Sequence, residues 1–243
     1  MNNWLKPVWP APGNVQAVCT TRTGGVSVAP FDSLNLGDHV GDDPMAVARN
    51  RQLVAEVLNL PATPFWLQQV HGVKVARQNV DNLGCPADAS VAIKTNEVCV
   101  VMTADCLPVL FCDRAGTRVA AAHAGWRGLC DGVLEETVRA LDCDPAEILA
   151  WMGPAIGPQA FEVGDEVRAA FMRHDQRATE AFKPMVEGKW LADIYQLGRQ
   201  RLASVGVNAV FGGDLCTYAQ QDLFYSFRRD AQTGRMASLI WLS

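Results

Sequence analysis

The chain predicts a mixed fold of strands and helices around one core, and three observations carry that expectation. Short β-branched runs alternate with segments of helical spacing; 49% of the 243 residues are hydrophobic, enough to bury a full core; and the 13 prolines and 20 glycines are scattered rather than gathered into a linker. One domain spanning residues 1–243 is expected, with no repeat at solenoid or propeller spacing.

Taken in order, Val15 to Thr21 alternates like a strand and delivers Arg22 to a Gly24-Gly25 turn, where it serves as an anion ligand or a solvated turn residue. Ser33 to Gly37 and Gly41 to Pro44 are turn-rich. Asp42 or Asp43 ahead of Pro44 makes a helix start, and Val47, Val54, Val57 and Leu58 give the helix that follows an apolar stripe. Phe65 to Val70 and Val73 to Ala76 read as a β-hairpin bent at His71-Gly72. Glu97 to Thr103 and Leu107 to Cys112 read as strands, interrupted at Ala104-Asp105-Cys106 ahead of Pro108.

Val119 to Ala122 is a small apolar strand that ends at His123. Gly125 to Gly128 reads as a tight turn and Leu129 to Leu141 as a helix, so His123 sits at a strand mouth facing a helix start. Ligands bind at such places in layered α/β structures. Ile148 to Met152 is another strand, Glu166 to Arg173 a helix, and Leu191 to Val205 an amphipathic helix stopped by Gly206. Ala209 to Gly212, Leu223 to Phe227 and Ala237 to Leu242 complete the strands. Arg228-Arg229 at the end of the second of these is an anion clamp or a solvated tip.

A net charge of −5 offers no excess of cations for a phosphate backbone, so nucleic acid is not an expected partner. No apolar run approaches the ~18 residues needed to span a bilayer, which excludes a membrane partner and leads to an expected cytoplasmic location. The eight cysteines contain no CxxC pair, and Cys99, Cys112 and Cys130 read as small buried hydrophobes. Cys106 differs, because it stands beside a carboxylate at a forced bend.

With His71 and His123 it makes a candidate three-ligand metal site. Two imidazoles and a thiolate suit zinc, and three protein ligands leave the fourth tetrahedral position free, the mark of catalytic sites. Arg127 beside the helix start is a candidate to orient a phosphate. Four histidines are too few for several copper ions, although one copper can displace zinc from a His-His-Cys set.

The phrases TTRTGGVS, SLNLG, QQVHG, MTADCLPVLF, AAHAGWRG, GPAIGP, FEVG and RRDAQTGRMASLIWL occur in order from about Pro7 to Ser243. Through them the chain resembles the bacterial laccase-domain proteins, also called multicopper polyphenol oxidase-like, purine nucleoside phosphorylase/adenosine deaminase-like, or peptidoglycan editing factor. The resemblance implies an α+β fold with central mixed β-sheets flanked by helices, and zinc on His71, Cys106 and His123. It also implies phosphorolysis of adenosine, inosine, guanosine and methylthioadenosine, with adenosine deamination besides.

In that reading Cys106, His123 and Arg127 are catalytic, while Arg22, Asn35 and Arg229 bind substrate or phosphate. The chain departs from the family's ADALVT stretch within Ala87 to Ala92, at Ser90 and Ala92, and at Phe227, where a tyrosine is usual. Two alternatives stand beside it: an amidase acting on a UDP-muramyl precursor through Cys106 and His123, and a non-enzymatic domain stapled by zinc.

Overall fold

The computed structural model of the chain describes residues 3–78 and 80–243. Its centre is a mixed six-stranded sheet in the order β11(Ala209–Gly212), β7(Ile148–Met152), β5(Leu107–Asp113), β6(Val119–Ala124), β3(Ala89–Ala92) and β2(Val75–Arg77). The outer pairs β11–β7 and β2–β3 are parallel, whereas the inner pairs are antiparallel. β5 and β6 are buried along their whole length, as their near-continuous apolar sequence demands of strands covered on both faces.

Alternation divides the two faces. Leu107, Val109 and Phe111 of β5, with Ala120, Ala122 and Ala124 of β6, face a helical layer. It is made of α2(Trp126–Asp131), α3(Val133–Leu141), α4(Asp165–His174) and α5(Ile194–Ser204). Leu110, Cys112, Val119 and Ala121 face the other way, onto an antiparallel sheet ordered β1(Val15–Cys19), β12(Met236–Leu242), β4(Val98–Thr103). The far side of that sheet packs on α1(Pro44–Leu58) through Val54, Leu34 and Trp66. A small antiparallel sheet, β8(Glu162–Gly164), β10(Lys189–Ala192), β9(Phe182–Pro184), and the short α6(Phe227–Asp230) complete an α+β architecture.

α1 starts as expected: the Asp43 side chain accepts from Met45 N at 2.9 Å and Pro44 opens the first turn. Four expectations change. Residues 65–76 form no hairpin: Phe65 and Gln68 make isolated parallel bridges, and β2 pairs in parallel with β3 because the chain wraps around the Asp88 carboxylate. The helix expected from Leu129 is two helices, with Gly132 at φ 107° closing one and opening the next. The expected helix from Leu191 begins at Ile194, since Lys189–Ala192 is claimed by sheet pairing. Leu223 to Phe227 is no strand: Phe224 and Tyr225 are fully buried in a loop, and the Tyr225 hydroxyl donates to Phe31 O at 2.5 Å.

Candidate metal centre

β5 and β6 are antiparallel neighbours with Pro108 opposite His123, so the residue just ahead of β5 lies beside the end of β6. That residue is Cys106. It is turned there by Asp105, which holds φ 91°, a backbone state that a non-glycine residue keeps only when its surroundings impose it. The imposing contacts are clear: the Asp105 carboxylate accepts from Thr217 Oγ1 at 2.6 Å, Ser226 Oγ at 3.0 Å and Arg228 N at 2.6 Å.

His71 arrives from the opposite side, also left-handed at φ 60°. The consecutive amides of Val70, His71 and Gly72 donate to Asp88 at 3.2, 2.9 and 2.7 Å. The same carboxylate meets His123 Nδ1 at 2.8 Å, and the Asp88 carbonyl accepts from His123 N at 2.7 Å. One fully buried aspartate thus aims two histidines. By taking Nδ1–H of His123 it leaves Nε2 for a ligand.

Two glycines make the approach possible. A Cβ on Gly125 would lie 2.7 Å from His71 Cδ2 and 3.1 Å from Cys106 Sγ, and one on Gly128 would lie 2.7 Å from Gly72 O. The imidazole rings of His71 and His123 meet edge to face with centroids 4.8 Å apart, and Cys106 Sγ is 3.8 Å from His71 Nε2. All three donor atoms lie within 4.8 Å of one another. Bonds of ~2.0–2.1 Å to nitrogen and ~2.3 Å to sulfur would hold the donors about 3.5 Å apart, so the widest pair would close by roughly 1 Å around a metal ion. Two nitrogens, one sulfur, a carboxylate behind one imidazole and a cradle that a single Cβ would fill make a donor set that fits a metal ion.

Without a metal the cluster is an ion pair. Burial pushes the Cys106 thiol up, but the charge and hydrogen bond of His123, with help from His71, bring it down to about 6. Burial opposes charge on His123 as well, and Cys106 and Asp88 outweigh it, raising the imidazole to about 9. Asp88 is likewise disfavoured by burial yet held below the usual carboxylate range by His123 and the amides of Gly72 and Val70. The sulfur is thus favoured as the thiolate that binds metal, and His123 releases its Nε2 proton when a metal takes that proton's place.

The cluster forms part of the wall of a cavity of about 350 Å³, within the range of small-molecule sites. Trp126, Phe161 and Phe227 give it aromatic surfaces, Met102, Ile156 and Ile194 line it with apolar side chains, and His39, Arg228 and Arg235 supply the basic groups.

The residues assigned to substrate from the sequence are mostly elsewhere. Arg127 is exposed, with its guanidinium 4.5 Å over the Trp126 ring and outside the cavity lining; α2 is short, and its first turn points that side chain outward. Arg22 is a clasp: it donates to Asp32 O at 3.2 Å and Gln221 O at 3.1 Å and pairs with Asp32. Arg229 is another, donating to Thr217 O, Tyr218 O and Phe224 O at 2.9–3.0 Å. Asn35 is fully buried and bonded to Gly37, Asp42 and the amide of Arg235. Arg22, Arg229 and Asn35 spend their polar atoms on the backbone and carboxylates around them.

The sequence reading missed His39 and Arg235, and of the Arg228-Arg229 pair it assigned Arg229 to the anion where Arg228 lines the cavity. For the Arg228-Arg229 pair a signal existed, since neighbours on a helix diverge by about 100° and only one of the two can face a given cavity. Nothing local marked His39.

Comparison with known proteins fits this construction. The chain is 58% identical to the purine nucleoside phosphorylase YfiH of Escherichia coli over 243 residues, covering 100% of both chains. It is 57% identical to the purine nucleoside phosphorylase PA4543 of Pseudomonas aeruginosa, covering 100% of this chain and 99% of the relative. The crystal structure of a Neisseria meningitidis protein superposes with a TM-score of 0.96 at 52% identity, covering 99% of each chain. That of YlmD from Geobacillus stearothermophilus gives 0.89 at 29%, covering 98% and 96%. A family model described as multi-copper polyphenol oxidoreductase laccase matches residues 16–243, and with these relatives it shows that the chain belongs to that family.

Proposed function

We propose that the chain is a metal-dependent purine nucleoside phosphorylase, with zinc held by His71, Cys106 and His123. The observation that carries this reading is the His-Cys-His cluster on the wall of an aromatic cavity that also contains two arginines. The names of the Escherichia coli and Pseudomonas aeruginosa relatives support it. Adenosine, inosine, guanosine and methylthioadenosine are the proposed substrates, adenosine deamination a further activity of the same cavity, and the cytoplasm the proposed location of a single-domain enzyme. Among the described residues no helix is long and apolar enough to cross a membrane. Copper is an adventitious occupant in this reading, since such donors bind it more tightly than zinc.

In phosphorolysis a phosphate oxygen attacks the ribose anomeric carbon, the bond to the purine nitrogen breaks, and its electron pair leaves with the base. Trp126, Phe161 and Phe227 offer faces on which a purine can stack. Met102, Ile156 and Ile194 exclude water, which strengthens every charge interaction in the cavity. Arg228 and Arg235 neutralise the oxyanion and orient it for attack. His71, Cys106 and His123 would hold the zinc, which would supply Lewis acidity there.

The test is a chromatographic assay of metal-quantified protein with adenosine, with and without phosphate. Adenine and ribose 1-phosphate are expected only with phosphate. Cys106→Ala should lower the rate by more than the ~100-fold that loss of a mere supporting partner can cost, and an unchanged rate would remove the metal from the reaction. A second reading, amide cleavage in a muramyl precursor with Cys106 as nucleophile, is favoured by the thiolate that His123 stabilises. It requires activity that survives a chelator and is abolished by a thiol alkylator.

A further inference from the structure

Next to the cavity lies a second, more open chamber of about 360 Å³, and His39, Phe227 and Arg235 line both. Thr233 and Gln232 continue the wall of the outer chamber. The strongest charge on the shared wall is Arg235, which is partly buried. Its Nη1 donates to Thr233 O and Gly234 O, each at 3.0 Å, while Nε and Nη2 have no hydrogen-bond partner and the guanidinium forms no ion pair among the described residues. Burial lowers its pKa, opposed by the charges of Cys106 and Asp105. A half-desolvated cation with two donors unspent beside a cavity is an arrangement that an external anion completes.

The Ser33 to Gly37 segment explains how Arg235 is seated. Asn35 Oδ1 accepts from the amides of Gly37 and Arg235, each at 2.9 Å, and Leu36 N donates to Arg235 O at 3.1 Å. Gly37 leaves the path open: a Cβ there would lie 2.8 Å from Arg235 Cγ and 3.2 Å from its Cβ. Asn35, expected from the sequence to touch substrate, instead holds the residue that faces the chamber.

We infer that Arg235, at the junction of the two chambers, binds the phosphate oxyanion of the reaction through Nε and Nη2, and that Asn35 and Gly37 are positioning residues for it. The inference rests on the phosphorylase reading for the identity of the anion. Two sources share that chemistry: inorganic phosphate and a phosphate ester carried by the substrate.

Calorimetric titration of metal-loaded protein with inorganic phosphate and, separately, adenosine 5′-monophosphate tests it, together with the KM values for phosphate and adenosine. Arg235→Gln should weaken oxyanion binding by about 10- to 100-fold, as loss of a charge-assisted hydrogen bond implies. Metal content and adenosine KM should stay near the wild-type values. Gly37→Ala retains the charge but displaces the side chain, so it should weaken binding less; Arg235→Lys should recover part of the loss, which also controls for folding.

Weakening confined to inorganic phosphate assigns the chamber to the attacking anion, and weakening confined to the monophosphate assigns it to an esterified substrate. Either pattern supports Arg235. Unchanged affinity for both in Arg235→Gln, or no binding of either by the wild-type protein, overturns the inference. Phosphate binding that depends on Arg235, in protein that releases no base from any nucleoside, would retain the chamber and overturn the phosphorylase reading instead.

Discussion

The two walls of the cavity are built by opposite means. The metal wall stands on regular structure: Cys106 and His123 are brought together by the β5–β6 pairing, and a single carboxylate, Asp88, adds His71 through three successive amides. The arginine wall stands on residues 213–235, where the only regular element is the four-residue α6 and the chain is held by side chains reaching to backbone carbonyls. Strand pairing places atoms rigidly, as three metal ligands require. A loop held by individual hydrogen bonds places side chains that only have to meet a diffuse anion. Asp105 joins the walls, its backbone turning Cys106 and its carboxylate gripping Thr217, Ser226 and Arg228.

The largest effect expected from breaking the metal wall at one supporting residue is that of Asp88→Asn. An amide nitrogen would face donors that now share a carboxylate, and metal affinity should fall about 10- to 100-fold. Competition with a chromophoric chelator measures it. Phosphate affinity should hold if the walls are independent, and a joint fall would show that they are not.

Asp105→Asn cuts the joint. Its three donors would lose charge-assisted bonds, and each buried donor left unmet costs about 1–3 kcal/mol. Thermal melting should drop and phosphate KM rise while metal content stays within about two-fold, the range below the effect of a lost ligand partner. If metal content falls as far as in Asp88→Asn, Asp105 belongs to the metal wall instead.

The smallest effect lies at the far end of the β5–β6 hairpin. Asp113 accepts from Thr117 Oγ1 at 2.5 Å, Thr117 N at 2.7 Å and Arg118 N at 3.0 Å, and although burial pushes its carboxyl up, these bonds hold it below the usual range. A carboxyl with a depressed folded pKa stabilises the fold above its unfolded value of ~3.9, and the contribution disappears as pH falls through the folded value. Wild type should therefore exceed Asp113→Asn by about 1 kcal/mol at pH 7, with the gap closing below pH ~4. Melts from pH 7 to pH 2.5 check the sign. A gap that widens in acid would contradict it.

Much of the metal wall was legible in the sequence, because its information is local. Short apolar, β-branched runs in residues 98–124 mark two strands and the strand-like run leading into His123, the Ala104-Asp105-Cys106 break marks the turn, and Pro44 and Gly206 mark helix ends. Cys99, Cys112 and Cys130 are buried as their apolar surroundings predict. The resemblance to the family carried the pairing of His71 with Cys106 and His123, and the structure brings those three donors together.

Only the tertiary structure decided which polar residues face the cavity. Arg22, Asn35 and Arg229 have the residue types of ligands but spend their polar atoms on neighbouring backbone and side-chain groups, whereas Arg235 has two donors left over. Helix and strand periodicity are properties of the few residues on either side, and the sequence states them directly. Whether a guanidinium meets a carbonyl or an open chamber depends on segments up to two hundred positions away, as Asn35 is from Arg235, and no local pattern records that meeting.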